Sequence, residues 1–347
     1  MTGVLFTCPT PAPATSRVTL AHGGGGRMTQ RLIDTVFRPA FANAALDAAH
    51  DGATLSAGGA RLAFTTDSYV VRPLFFPGGN IGDLAVNGTV NDLAMCGARP
   101  VALSAAFLLE EGLHIGELEV VVASMRNAAR AAGVSIVAGD TKVVEHGKGD
   151  GMFITTSGIG LVEYGEIAPR RVRPGDAVIV SGDLGAHGIA ILSMRDGLDF
   201  DGAVASDTAP LWAPVSALLT AGIDLHCLRD LTRGGLASAL NEIAVAAGVS
   251  MVIDETAIET APAVCAACEL LGLDPLYVAN EGRFVAFVAA DDLPRTLETL
   301  RRMRVSRHAA LVGHVKKADP GVVTVRSRIG GSRVLDLLSG EQLPRIC

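Results

Sequence analysis

The chain has 347 residues, long enough for two domains of ordinary size, and its hydrophobic content of 49%, mostly Ala, Val and Leu, suits a well-packed α/β interior. A formal net charge of −7 leaves no basic footprint for a nucleic-acid partner. The longest internal charge-free run, Thr208 to Ile223, is too short for a membrane span and contains Pro210 and Pro214.

The opening stretch, MTGVLFTCPTPAPATSR, lacks a basic start and a continuous apolar core, so it reads as a flexible leader and not as a secretory signal. Six cysteines without export point to free thiols in a reducing cytoplasm. Residues 1–45 combine this leader with His22-Gly23-Gly24-Gly25-Gly26 and a helix-like Met28 to Phe37. Four glycines leave backbone amides free to approach an anion ahead of a helix start, or they form a simple hinge; the run alone does not decide.

Residues 46–162 alternate strands and helices as a first domain, a mixed α/β layer. Arg61 to Asp67 reads as a strand ending on a polar turn, and Ile81 to Gly97 as a helix with Pro100 beyond it. Val101 to Leu109 is a strand, Ile115 to Ala132 a helix, Val134 to Ala138 another strand, and Met152 to Val162 closes the unit. Glu163 to Pro174 is the linker into a second domain, residues 163–338. There, strands are expected at Ala177–Gly182, Val249–Ile253 and Phe284–Ala289. Helices are expected at Ala186–Arg195, Leu211–Thr220, Gly234–Ala247 and Leu293–Arg302. Cys265 and Cys268 lie in a helical stretch near one face; zinc would need a second pair, and Cys8, Cys96 and Cys227 stand alone, so these thiols read as structural.

From Ser339 the chain has no periodic apolar pattern and reads as a loose arm, 339–347, spanning roughly 30 Å if fully extended. It finishes Leu343-Pro344-Arg345-Ile346-Cys347. A thiol on such an arm can leave one site, enter another and return, as a carrier would; a frayed end in cysteine is the plain alternative. Arg345 favours the thiolate and the neighbouring carboxylate opposes it, so activation depends on where the sulfur docks.

Asp51, Asp67, Asp92, Asp140 and Asp230 sit beside glycine-rich or polar turns. Carboxylates of this kind bind magnesium together with phosphate oxygens, and Lys142 and the amides near Gly139 and Gly234 suit phosphates. Each aspartate taken singly also serves as a cap or turn residue, except Asp92, which lies inside a helical pattern. The chain has no Walker A sequence and no GxGxxG opening a βαβ unit, so a nucleotide site is of another kind.

Together these stretches resemble the HypE family of carbamoyl dehydratases, within the PurM-like ATP-binding superfamily. The resemblance rests on His22 to Gly26, Thr65 to Val71, Pro73 to Gly79, Gly88 to Ala94, Gly139 to Val144, Asp230 to Gly235, Asp274 to Gly282 and the terminal Pro344-Arg345-Ile346-Cys347, and covers nearly everything after the leader. It implies a two-domain α/β (α+β) fold with a ferredoxin-like first domain, antiparallel sheets, a mobile tail and a cytoplasmic homodimer with ATP near the dimer interface. It implies ATP-driven dehydration of a carbamoyl group placed on Cys347 by a HypF-like carbamoyltransferase, with cyanide passed to the iron of a HypC–HypD complex. By the same resemblance, Asp51, Asp92 and Asp230 lie near Mg2+, and Asp67, Asp92, Gly139, Asp140 and Thr141 line the nucleotide pocket. Lys142 polarises the carbonyl oxygen, Glu281 accepts the nitrogen proton, and Asn91 and Arg233 act beside the motif residues. His22 is left between phosphate contact and loop residue. Another PurM-like ligase or kinase, which needs no terminal cysteine, and a non-catalytic ATP-binding scaffold are the competing expectations.

Overall fold

The computed structural model describes residues 17–197, 204–338 and 347. The expected leader through residue 16 and the expected arm, apart from Cys347, lie outside the described residues. Within 17–45 the chain is helical: a short turn at Leu20–Gly23, then α1 (Arg27–Leu32) and α2 (Arg38–Phe41), joined by a π-helical turn at Ile33–Phe37.

The first sheet has the order β1-β2-β7-β5-β6, built from β1 (Ala53–Ala57), β2 (Ala60–Tyr69), β5 (Ala98–Glu110), β6 (Ser135–Val144) and β7 (Met152–Val162). A two-residue hairpin, β3 (Phe75–Phe76) and β4 (Gly79–Asn80), leads into helix α3 (Ile81–Met95). Helix α4 (Ile115–Ala132) crosses between β5 and β6, which is why that pair is parallel while the other pairs of the sheet are antiparallel. Both helices pack on one face of the sheet. The opposite face presents Leu55, Phe64, Leu108 and Ile159, each 37–46% exposed.

Helix α3 starts because Asn80 caps it, accepting from Gly82 N at 2.8 Å while Asp83 reaches back to Asn80 N at 2.7 Å. It stops at Gly97, whose φ of +66° lies in the left-handed region. Nearly every residue between is buried, because α3 lies between the two sheets: Leu84 and Val90 enter the core of the first, Ala94 and Met95 that of the second.

The second sheet has the order β14-β13-β10-β12-β8-β11-β9. Its strands are β8 (Ala177–Val180), β9 (Leu225–Asp230), β10 (Ser250–Asp254), β11 (Phe284–Val288), β12 (Ala310–Lys316), β13 (Val323–Arg326) and β14 (Ser332–Val334). All pairs are antiparallel except β10–β13. Strands β8 and β11 are unbroken apolar runs because both faces are covered. Helices α5 (Ala186–Asp196), α6 (Trp212–Thr220), α7 (Gly235–Ala247), α8 (Pro262–Leu271) and α9 (Leu293–Arg301) complete the fold. No helix among the described residues is long and apolar enough to cross a membrane.

Three readings change. Asp67 lies within β2 and not on a turn after it. The strand expected to end at Ala138 runs to Val144, so Asp140 is also a strand residue. The glycine and aspartate of Gly139-Asp140 mimic a turn signal, and pairing with β5 overrides it. The expected antiparallel sheets each contain one parallel pair.

Candidate functional site

Strand β2, the C-terminal end of β9, helix α3 and the Asn280–Gly282 turn bring their polar residues to one crevice between the sheets. Thr65, Asp67 and Tyr69 alternate onto the helix-facing side of β2. Thr65 donates its hydroxyl to Asp92 Oδ2 of α3 at 2.6 Å. Asp230 closes β9, one strand from Phe284, so it falls beside Glu281. The 281–282 turn is held from both sides. Asn280 accepts from Gly185 N at 2.7 Å and donates to Leu231 O, and the Asp207 carboxylate accepts from Glu281 N at 3.1 Å and Gly282 N at 3.2 Å. A Cβ on Gly282 would stand 2.0 Å from Asp207 O, so that position requires glycine.

The charges in this crevice act on one another. Desolvation, then Asp230, Asp67 and Asp51, push the Asp92 carboxyl well above its ordinary range. Asp230 is raised by desolvation and Asp51, and Glu281 by desolvation, Asp230, Asp207 and Asp67. Asp67 is raised by desolvation, with Arg233 pulling it back. Burial carries Asp51 up to about 6 although Arg229 Nε lies 2.8 Å from its Oδ1. Asp51 Oδ2, Glu281 Oε1 and the Tyr69 hydroxyl are buried without a hydrogen-bond partner.

Cys347 sits in the same crevice. Its main-chain oxygen accepts from Val70 N at 3.1 Å, and its side chain packs against the core of the first sheet. Desolvation raises its thiol pKa, Arg233 lowers it, and Glu281, Asp67 and Asp230 raise it further. Docked here, the sulfur is a neutral thiol.

Of the residues singled out from sequence, Asp51, Asp67, Asp92, Asp230, Arg233, Glu281 and Cys347 therefore come together. Asn91 adjoins them, but its amide is spent on the backbone: it donates to Ala209 O and Glu281 O and accepts from Leu211 N at 2.8 Å. Strand β6 does not join them. The register Asp67–Thr156–Ala105–Gly139 puts Gly139 three strands from Asp67, roughly 14 Å. Gly139 and Thr141 face a cleft of about 890 Å³ between the sheet and α4, lined by Phe107 of β5 and Met125 of α4. Asp140 and Lys142 point to the opposite, exposed face and pair with each other at 2.6 Å.

The glycine run closes on Arg233 as neither a free hinge nor an open cradle. Arg233 Nη1 donates to Gly23 O at 3.1 Å, Ser238 to Gly25 O at 3.0 Å, and the Gly25 amide is bonded to Thr29. Gly25 has φ +75°, and a Cβ there would meet Arg233 O at 2.9 Å. This contact walls a cavity of about 200 Å³ lined by Asp51, Asp230, Thr232 and Arg233. His22 turns back on Thr19 at 3.0 Å. Among the described residues no three metal-ligating side chains converge closely enough to hold an ion by themselves.

Sequence reading missed Asp207, Arg229 and Tyr69 as site residues. Tyr69 carried a usable signal, two positions after Asp67 on a strand and hence on the same face. Asp207 lies in an aperiodic stretch and carried none.

Two α/β sheet units with acidic strand ends facing one crevice define the class. AIR synthase related protein, N-terminal domain, matches residues 49–162, and AIR synthase related protein, C-terminal domain, matches residues 173–326. Carbamoyl dehydratase HypE of Cupriavidus necator is 52% identical over 333 residues, covering 95% of each chain. A solved structure of hydrogenase maturation protein HypE in complex with ATP superposes with a TM-score of 0.81 at 48% identity, covering 95% of this chain and 100% of the other. A HypE–HypF complex gives a TM-score of 0.84 at 44% identity, covering 88% and 99%. The chain belongs to the HypE family of carbamoyl dehydratases.

Proposed function

We propose that this protein removes the elements of water from a carbamoyl group carried on the Cys347 sulfur, leaving a thiocyanate as a source of cyanide for the iron of a [NiFe] hydrogenase. The seat of Cys347 carries the reading: the sulfur lies in a desolvated crevice among Arg233, Glu281, Asp67 and Asp230. A thiol whose pKa is raised is a poor nucleophile there, which favours loading elsewhere, by a HypF-like carbamoyltransferase. A HypC–HypD complex is the expected recipient, and the cytoplasm the expected compartment.

Hydroxide is too poor a leaving group for the carbonyl oxygen to depart unaided. ATP supplies a phosphoryl group, so that the oxygen leaves as part of phosphate; the nitrogen loses two protons as the C–O bond breaks and the C≡N bond forms, and ADP and phosphate are released. Glu281, with an unpartnered Oε1 and a raised pKa, takes a nitrogen proton. Arg233 sets a cation beside the sulfur. The cleft between β6 and α4 that Gly139, Asp140 and Thr141 line, together with Asp67 in the crevice, would hold ATP. Mg2+ is bound through one or two carboxylates plus phosphate oxygens, which suits carboxylates that repel one another and the orphaned Asp51 Oδ2; Asp51, Asp92 and Asp230 would hold it.

Lys142 polarises the oxygen from a second copy of the chain. The support is its place on the exposed face of the first sheet, beside uncovered Leu108 and along a ten-residue edge strand, features of a surface that another chain covers. The test is mass spectrometry of the C-terminal peptide of carbamoylated protein. Loss of one water only with magnesium–ATP is expected; an unchanged carbamoyl group with all partners present overturns the reading.

A further inference from the structure

The helix-facing end of β2 carries a group that the reaction above leaves unused. Tyr69 is 1% exposed, and its hydroxyl is buried without a hydrogen-bond partner. Helix α3 makes room for it with Gly88, where a Cβ would stand 2.2 Å from the Tyr69 oxygen. An orphaned buried hydroxyl and a glycine inside a helix each destabilise a fold. Both features serve to place one oxygen atom in the crevice.

The surroundings decide what that oxygen offers. Thr156 donates its hydroxyl to Ala85 O at 2.9 Å, so its 2.5 Å contact with Thr89 uses the Thr89 proton. Thr89 is left with lone pairs only. The polar side chains beside the Tyr69 hydroxyl are this Thr89 and the Asp67 carboxylate, and the carboxylate can only accept. The phenol proton is therefore directed into the protein, and a lone pair remains for a ligand. Glu281 Oε1 is a second orphaned acceptor in the same electrostatic cluster. Two acceptors without donors match the two N–H groups of a carboxamide, and Cys347 is held at Val70, the residue after Tyr69.

We propose that Tyr69 and Glu281 together hold the amino group of the carbamoyl unit on Cys347, the Tyr69 oxygen accepting one N–H and Glu281 Oε1 the other. The inference rests on the dehydratase reading. It turns the carbonyl oxygen toward the Arg233 side and sets one N–H on the carboxylate that removes it. It also makes the site selective for a primary carboxamide, since a carboxylate or ester on the sulfur would oppose lone pairs to lone pairs.

The test compares wild type, Tyr69→Phe and Gly88→Ala, each carbamoylated on Cys347, in single-turnover dehydration with magnesium–ATP, alongside ATP affinity and thermal melting. Tyr69→Phe is expected to slow water loss about tenfold or more, with ATP affinity unchanged and melting no lower than wild type, because an orphaned hydroxyl is removed. Gly88→Ala keeps the hydroxyl but crowds it from its slot, and is expected to slow water loss as well. A Tyr69→Phe protein as fast as wild type, or one slowed only together with lowered melting and weakened ATP binding, overturns the assignment alone. A wild type that never loses water overturns the dehydratase reading and this assignment with it.

Discussion

The Val70 amide donates to the main-chain oxygen of Cys347 at 3.1 Å, joining the last residue of the chain to the strand that carries Asp67 and Tyr69. Because this tie is made by backbone, Cys347→Ala keeps it. That variant is expected to bind ATP like wild type and to form no thiocyanate, read by equilibrium nucleotide binding and peptide mass spectrometry. Loss of ATP binding would make the terminal residue a structural element.

Asp140 and Lys142 point away from the crevice of their own chain, which predicts complementation. Lys142→Ala and Cys347→Ala proteins are each expected to be inactive. Mixed and allowed to exchange subunits, they should recover about a quarter of wild-type turnover, since half the dimers are mixed and each mixed dimer has one intact site. A mixture as inactive as its components would place Lys142 in the site of its own chain.

The crevice carboxylates bear on stability. Asp92, Asp230 and Glu281 have folded pKa values raised above their unfolded ones, so the folded state holds their protons more tightly. Their contribution is full below the unfolded values near 4 and is lost as pH rises through the raised folded values. Magnesium at a hundredfold excess over its dissociation constant should restore about 2.7 kcal/mol at pH 8, several degrees in melting temperature. Asp230→Asn should melt higher without magnesium and respond less to it. An equal response in both proteins would remove Asp230 from the ion site.

Away from the crevice, His226 is buried between Asp176 at 2.7 Å and Asp224 at 3.0 Å, and Arg171 and Arg173 face the same carboxylates. The hydrogen bond to Asp176 is the main reason its pKa is raised, ahead of desolvation, which opposes it. The ion pairs therefore stabilise fully below about pH 6.5 and weaken as pH rises through the higher folded value. Differential scanning calorimetry from pH 6 to 9 should show a declining melting temperature that His226→Gln flattens; an unaltered slope in the variant would assign the decline to other groups.

Asp207 fixes the turn that carries Glu281. Asp207→Ala leaves two buried amides without acceptors, and a loss of about 3 kcal/mol in denaturant unfolding is expected, with slower dehydration but normal loading of Cys347. Unchanged unfolding would mean that the turn holds its shape through Asn280 alone.

Much of this arrangement is legible in the sequence where local signals and tertiary packing agree. The limits of α4 follow from its apolar spacing and from Gly133, and β7 from its alternation. The sequence signals an early end to β6 because Gly139-Asp140-Thr141 has the chemistry of a turn, whereas its conformation is set by pairing to β5. The meeting of Asp67 with Asp230 and Glu281 is invisible to periodicity, because it depends on how two sheets close over α3; motif resemblance alone pointed to it. The orphaned Tyr69 hydroxyl and the role of Asp207 were beyond reach, since burial and hydrogen-bond partners are properties of the packed chain.

The three bonds made by the Asn91 amide pin α3 to the loop at 209–211 and to the Glu281 turn, so the crevice floor is riveted from both halves of the molecule. Opening the sheets like a jaw would break all three at once, together with the core around Ala94 and Met95. The Val70–Cys347 bond, worth about 1 kcal/mol, is by comparison a light latch. Traffic through the site is then governed at the sulfur's own fastening, which a docking partner of modest affinity can undo without disturbing the vault behind it.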